Sequence, residues 1–123
     1  MKITQTDKAP KAIGPYSQAI VTGGLIYTSG QIPINPASGN IEAEDITGQT
    51  KQVIENLLAV LEESGSSLQK VVKTTCFLKN INDFATFNDV YAQYFTGKPA
   101  RSCVEVSNLP KGALVEIEVI AEL

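Results

Sequence analysis

Among ten basic residues only Arg101 is an arginine, and it stands in the segment Pro99-Ala100-Arg101-Ser102-Cys103-Val104-Glu105-Val106. A guanidinium is a planar fork of donors that grips a carboxylate or phosphate with two parallel hydrogen bonds, which an ammonium cannot do. Ser102, Val104 and Val106 alternate here with Arg101, Cys103 and Glu105. That period of two reads as a strand with the two sets on opposite faces. In the closing stretch Val115, Ile117, Val119 and Ala121 alternate with Glu116, Glu118 and Glu122. The apolar set is expected to face the helices and the glutamates to face away. The short connection between the two segments predicts antiparallel pairing, which would put Arg101, Cys103, Glu105 and the glutamates on one face. One cation for an anionic substrate and one carboxylate to move a proton make a minimal acid/base site. The same residues could instead form a cross-strand salt bridge, worth about 0–1 kcal/mol if exposed.

The chain has no histidine. That removes the commonest general base, the commonest metal ligand and every Ser-His or Cys-His nucleophile. Its two cysteines, Cys76 and Cys103, lie 27 positions apart with no C-x-x-C pairing. They read as free thiols of a reducing compartment, and a zinc site within one chain is not expected. Net charge is −3 with a pI near 4.9, and the lysines are scattered, which argues against RNA or DNA as the main partner. Residues 1–12 contain no apolar signal region, and no stretch has the length of a membrane span. The expectation is a cytoplasmic protein.

The elements that must position these residues can be read from pattern. Residues 1–123 fit one domain. Ile20–Tyr27 reads as two strands around Gly23-Gly24, after a short opening strand near Ile3. Gln31–Ile41 holds Pro33, Pro36 and Gly39 and reads as a loop with a turn near Ala37–Asn40. A first helix is predicted from the N-cap Asp45 to about Ser64, its apolar stripe made of Val53, Ile54, Leu57, Leu58 and Leu61, with Gly65 just beyond its end. A strand follows over Lys70–Leu78. The second helix runs from Asn82 or Asp83 to about Phe95 with a stripe of Phe84, Phe87, Tyr91, Tyr94 and Phe95. Strands over Ala100–Ser107 and Ala113–Leu123 close the chain, joined at Pro110-Lys111-Gly112. The order β-β-β-α-β-α-β-β makes an α+β two-layer sandwich, a mixed sheet with two helices on one face. The open face draws from Val71, Lys73, Thr75 and Phe77 or their neighbours, with Arg101, Cys103, Leu114, Glu116 and Ile120. That mixture suits a subunit interface better than bare solvent.

Several blocks then fall together in order: Gly14-Pro15-Tyr16-Ser17-Gln18, Thr28-Ser29-Gly30-Gln31-Ile32-Pro33, Asn82-Asp83-Phe84-Ala85, Pro99 to Val106, and Val115-Glu116-Ile117-Glu118. Over essentially the whole chain they closely resemble the RidA (YjgF) family of reactive-intermediate deaminases. The resemblance implies a chorismate-mutase-like fold, a homotrimer, and ligand sites in clefts between subunits. It implies hydrolysis of 2-iminopropanoate and 2-iminobutanoate, products of pyridoxal-phosphate-dependent threonine and serine dehydratases, to 2-oxo acids and ammonia. By the same resemblance Arg101 matches the arginine that grips the substrate carboxylate, and Glu116 the carboxylate linked to the attacking water. Tyr16, Ser29, Gly30, Asn88 and Cys103 match positions lining the cleft, Gly30 and Cys103 through their backbones. As a thiol, Cys103 reads as a small buried hydrophobe. No cofactor is implied, since no metal, nicotinamide, flavin or phosphate-loop motif is present. Only Thr96-Gly97-Lys98 separates Phe95 from Pro99, shorter than in some family members, which leaves the shape of the cleft rim open. The alternative is a ligand- or RNA-binding regulator of the endoribonuclease or translation-inhibitor type, without deaminase activity.

Overall fold

The 18-residue helix α1 (Ile46–Glu63) forms where the apolar spacing put it. The Asp45 carboxylate accepts the Gly48 N–H at 2.8 Å and so caps the first turn. At the other end Gly65 N–H donates to the Glu62 carbonyl and Ser66 N–H to the Leu61 carbonyl, the paired bonds of a Schellman termination. The buried face carries Val53, Ile54, Leu57, Val60 and Leu61. Leu58 only borders it. Three polar side chains, Gln49, Thr50 and Asn56, are buried on that face as well, which apolar periodicity could not announce. Two of them tie loops to the helix. Asn56 donates to the carbonyls of Ile32 and Ile34 at 3.1 and 2.9 Å, and Gln49 accepts the Leu114 N–H at 2.8 Å.

This computed structural model describes residues 1–123. Its main sheet has six strands: β1 (Lys2–Thr4), β2 (Ala19–Thr22), β3 (Leu25–Thr28), β6 (Val71–Leu78), β7 (Ala100–Glu105) and β8 (Val115–Glu122). Their order across the sheet is β1-β2-β3-β8-β6-β7. Gly23 and Gly24, with φ of 58° and 77°, make the two-residue turn between β2 and β3. Only residues that tolerate positive φ at both positions fit such a hairpin. A small separate hairpin of β4 (Ile34–Asn35) and β5 (Asn40–Ile41) lies within the stretch read as loop. The second helix, α2 (Phe84–Tyr94), begins after a short 3-10 turn over Ile81–Asp83. Both helices pack on one face of the sheet, so the α+β sandwich is as the pattern predicted. Val115, Ile117, Val119 and Ala121 are all essentially buried beneath them.

The expected antiparallel pairing of the last two strands does not occur. β6 lies between them, pairing parallel with β7 and antiparallel with β8. The strand with four fully apolar inward positions takes the centre, while β7, mostly exposed along its length, takes the edge. The connection from Val106 to Leu114 is long enough to step past β6, about 10 Å for two strand spacings.

The parity of the register then overturns the shared face. Thr74 pairs with Arg101 and Cys76 with Cys103, and Thr74 and Cys76 are buried toward the helices. Phe77 pairs with Glu116 and Thr75 with Glu118. Cross-strand partners share a face, and positions 74 and 77 are an odd number apart, so they point to opposite sides. Arg101, Cys103 and Glu105 therefore lie on the helix side, and Glu116 and Glu118 on the open side. Val71, also expected on the open face, is 6% exposed next to a register shift and packs into the core, and Leu114 packs against that core as well. The open face keeps Lys73, Thr75, Phe77, Glu116 and Ile120, and adds Tyr27, 42% exposed, and Val104, 46% exposed.

Candidate functional site

The carboxylate end is built where β3 runs into β8. Gln31 N–H donates to the Ile117 carbonyl at 2.8 Å, and Ile117 N–H returns a bond to the Gln31 carbonyl at 3.2 Å. This bridge brings Gly30 beside Glu116, the residue before Ile117. A Cβ at position 30 would stand 2.8 Å from Cδ of Glu116 and closer still to Oε2. The carboxylate thus occupies the volume that any other side chain at position 30 would fill. Ser29 fixes the neighbouring segment: its N–H donates to the Gln18 carbonyl at 2.9 Å and its hydroxyl to the Ser17 carbonyl at 2.6 Å. Gln18, buried, is itself held by Thr6 and Pro10. Tyr16, 53% exposed, leads into this segment. Together with Ile13, Gly30, Gln31, Ile32 and Lys111 it lines a hollow of about 350 Å³. Burial raises the Glu116 carboxyl above the ordinary range, and the charge of Glu118 adds to the rise. A carboxylate poised in this way is a better proton acceptor near neutral pH.

The cation end lies on the other side of the sheet, at its β7 edge. Nη1 of Arg101 donates to Oδ1 of Asn88 at 2.7 Å. Its Cζ stands 4.7 Å from the centre of the Tyr91 ring and 5.5 Å from that of Phe84. Tyr91 is anchored in turn by a 2.7 Å hydrogen bond with the Thr74 hydroxyl and by stacking on Phe95 at 4.4 Å. Asn88, Tyr91, Ala92, Phe95, Pro99 and Arg101 border an open hollow of about 490 Å³. Cys103 is half-buried; burial raises its thiol pKa, against a lowering pull from Arg101. Burial pushes Cys76 up to about 12. Neither thiol has the lowered pKa of a nucleophile. Glu105 has a structural task, accepting the Ile81 N–H at 2.9 Å ahead of α2.

The residues singled out in the sequence thus form two groups. Tyr16, Ser29, Gly30 and Glu116 gather at one place, and Asn88, Arg101 and Cys103 at another. Sequence reasoning missed the part played by Phe84 and Tyr91, which it assigned to the core stripe. Their signal was present: positions 84, 88 and 91 recur at helical spacing and so share the helix face that meets Arg101.

This arrangement can be set beside known proteins. The chain is 60% identical over 117 residues to a RutC family protein of Pyrococcus abyssi, covering 94% of this chain and 92% of that one. It is 48% identical over 124 residues to the 2-iminobutanoate/2-iminopropanoate deaminase of Salmonella typhimurium, covering 98% and 96%. Among solved structures, E. coli TdcF with bound serine superposes with a TM-score of 0.95 at 44% identity, covering 100% of this chain and 99% of TdcF. The family model described as Endoribonuclease L-PSP matches residues 6–123, and with these relatives it establishes that the chain belongs to the YjgF/RidA family.

Proposed function

We propose that the protein hydrolyses 2-iminopropanoate and 2-iminobutanoate to the corresponding 2-oxo acids and ammonia, in sites formed between copies of the chain. The observation that carries this reading is the division of charge across the sheet. A guanidinium held by a neutral amide and two aromatic rings sits on one side, and a carboxylate with a raised pKa on the other. No single copy brings the two together, whereas a ring of copies does so when the β7 edge of one meets the Gly30–Glu116 surface of the next. A homotrimer fits that demand, and the apolar residues of the open face support it. The deaminase relative supports the chemistry, and serine bound to TdcF is a small amino acid with the same α-carboxylate.

The reaction asks little of the protein. An imine carbon beside a carboxylate is electrophilic once its nitrogen is protonated. Arg101 of one copy holds the carboxylate through its free N–H groups and fixes the orientation of the substrate, which is catalysis by positioning. Glu116 of the neighbouring copy takes a proton from water as the water oxygen bonds to C2, giving a tetrahedral amino alcohol. Glu116 returns the proton to the amine, the C–N bond breaks, and ammonia leaves as the hydroxyl passes its proton to the freed Glu116 carboxylate, which gives it up to solvent, leaving the 2-oxo acid. Tyr16, Ser29, Gly30, Asn88 and the Cys103 backbone line the cleft. The physiological suppliers are pyridoxal-phosphate-dependent threonine and serine dehydratases in the same, cytoplasmic, compartment.

The description of the family model as an endoribonuclease supports a second reading, an RNA-directed or regulatory protein. A net charge of −3 and the absence of histidine weigh against it. One experiment separates the two. 2-Iminobutanoate is generated in situ by a threonine dehydratase, and release of 2-oxobutanoate is followed with and without the protein. Acceleration that is proportional to protein and lost in Arg101→Lys supports the hydrolase, and no acceleration rejects it.

A further inference from the structure

Phe84 opens α2 with 36% of its surface exposed and lies outside the buried core cluster, which is supplied from this helix by Phe87 and Tyr91. Its ring instead faces the chain's one guanidinium, 5.5 Å from Cζ. Tyr91 approaches the same group to 4.7 Å, and its hydroxyl is bonded to Thr74, the strand residue paired with Arg101. Asn88, between them on the same helix face, takes one N–H. One short stretch of helix therefore holds the guanidinium by two rings and a neutral carbonyl.

We propose that Phe84 and Tyr91 are positioning residues of the anion grip: they fix the Arg101 guanidinium through their ring faces and so keep its N–H edge available for a ligand carboxylate. The functional consequence rests on the imine-hydrolase reading. A carboxylate of the chain could hold an arginine as firmly, but it would occupy the edge the substrate needs and cancel the charge. Aromatic faces attract the cation without consuming donors. Of the five N–H groups of the guanidinium, Asn88 takes one and leaves enough for a two-bond pairing. The hydrogen bond between Tyr91 and Thr74 ties the clamp to the strand from which Arg101 projects, so helix and arginine keep one relative position.

Because Arg101 is the chain's one arginine, its Nε–Hε group gives one resonance in a ¹H–¹⁵N spectrum. In the wild type that resonance should be displaced by the ring currents and its guanidinium should rotate slowly. Phe84→Leu keeps apolar bulk but removes the ring. It should return the resonance toward that of free arginine and weaken 2-oxobutanoate binding about three- to tenfold, with KM for the imine rising in parallel. Phe84→Tyr should restore both, and Tyr91→Phe, which keeps the ring and loses only the hydroxyl, should show the smaller effect. An Arg101 resonance unmoved by Phe84→Leu refutes the clamp. A moved resonance with unchanged binding and KM refutes its role in positioning. Failure of the wild type to bind 2-oxobutanoate would count against the hydrolase reading alone, because the resonance reports the clamp without any ligand.

Discussion

Replacing Gly30 with alanine tests the carboxylate end most directly. The added methyl would lie 2.8 Å from Cδ of Glu116 and 3.1 Å from its Cγ. Ordinary carbon contacts are about 3.5–4.0 Å, so the carboxylate carbon must retreat by about 1 Å. The yielding atoms are the far end of a flexible side chain, and Gly30 is not among the positive-φ glycines, so the backbone tolerates alanine. Stability should therefore fall by less than about 1 kcal/mol, well under the cost of overpacking a rigid core. Catalysis should suffer far more, because displacing a reacting group by 1 Å can cost on the order of 100-fold, about 2.7 kcal/mol in the barrier. The coupled dehydratase assay reads the rate, and thermal unfolding reads the fold. In a Glu116→Gln background, Gly30→Ala should cost nothing further, since the group it displaces no longer carries the proton. A folded Gly30→Ala protein with wild-type turnover would refute the placement of Glu116 as the proton-transfer group.

Arg101→Lys keeps the charge but loses the fork, and kcat/KM should fall by about 2–4 kcal/mol in transition-state binding while thermal unfolding stays near wild type; full activity would make the arginine structural. A proton-accepting carboxylate must be ionised, so kcat/KM should decline as pH falls through the raised pKa of Glu116, and Glu118→Gln should move that acid limb to lower pH by removing the neighbouring charge. The same shift acts on stability with a definite sign. The folded state holds the Glu116 proton more tightly than the unfolded chain, so ionising Glu116 destabilises the fold as pH rises through its raised pKa. Glu116→Gln should accordingly be at least as stable as wild type at neutral pH, the difference closing on acidification below about 4.3, the unperturbed value, while turnover drops by about 100-fold or more.

Local pattern was enough for the helices. The Asp45 cap, the Gly65 termination and the alternation in β8 each depend on neighbours in sequence, and each appears where predicted. The relation between β7 and β8 depends on which strand fills the gap between them, and no local period encodes that. The intervening strand changes the parity, so Arg101 and Cys103 lie on the helix face and not beside the glutamates, although they alternate along β7 as the sequence predicts. The buried amides of Gln49 and Asn56 were equally opaque, because a polar residue on an apolar stripe reveals its purpose only when the loop carbonyls it meets are in view. At the candidate site, residue types pointed to an anion grip and a proton carrier. What escaped was the clamp, since an aromatic residue at helical spacing reads as core until the guanidinium lies over it.

The separation of Arg101 from Glu116 within a copy has a consequence that a site within one chain would not share. If Arg101 of one copy and Glu116 of the next share a site, Arg101→Lys and Glu116→Gln each remove a different half of it, and each variant alone should be nearly inactive. In the proposed cyclic assembly every interface would join the β7 edge of one copy to the Glu116 surface of the next. When the two variants are unfolded together in equal amounts and refolded, a given interface receives an intact arginine with a chance of one half and an intact glutamate with a chance of one half. About a quarter of the interfaces are then complete, and activity should recover to about a quarter of wild type in a randomly mixed ring. Mixing without subunit exchange should restore nothing, which separates shared sites from simple stabilisation. If the two residues instead served the same copy, no mixture could exceed the sum of its inactive parts. Refolded mixtures that stay at that baseline, with mass spectrometry showing that mixed oligomers have formed, would refute the shared site.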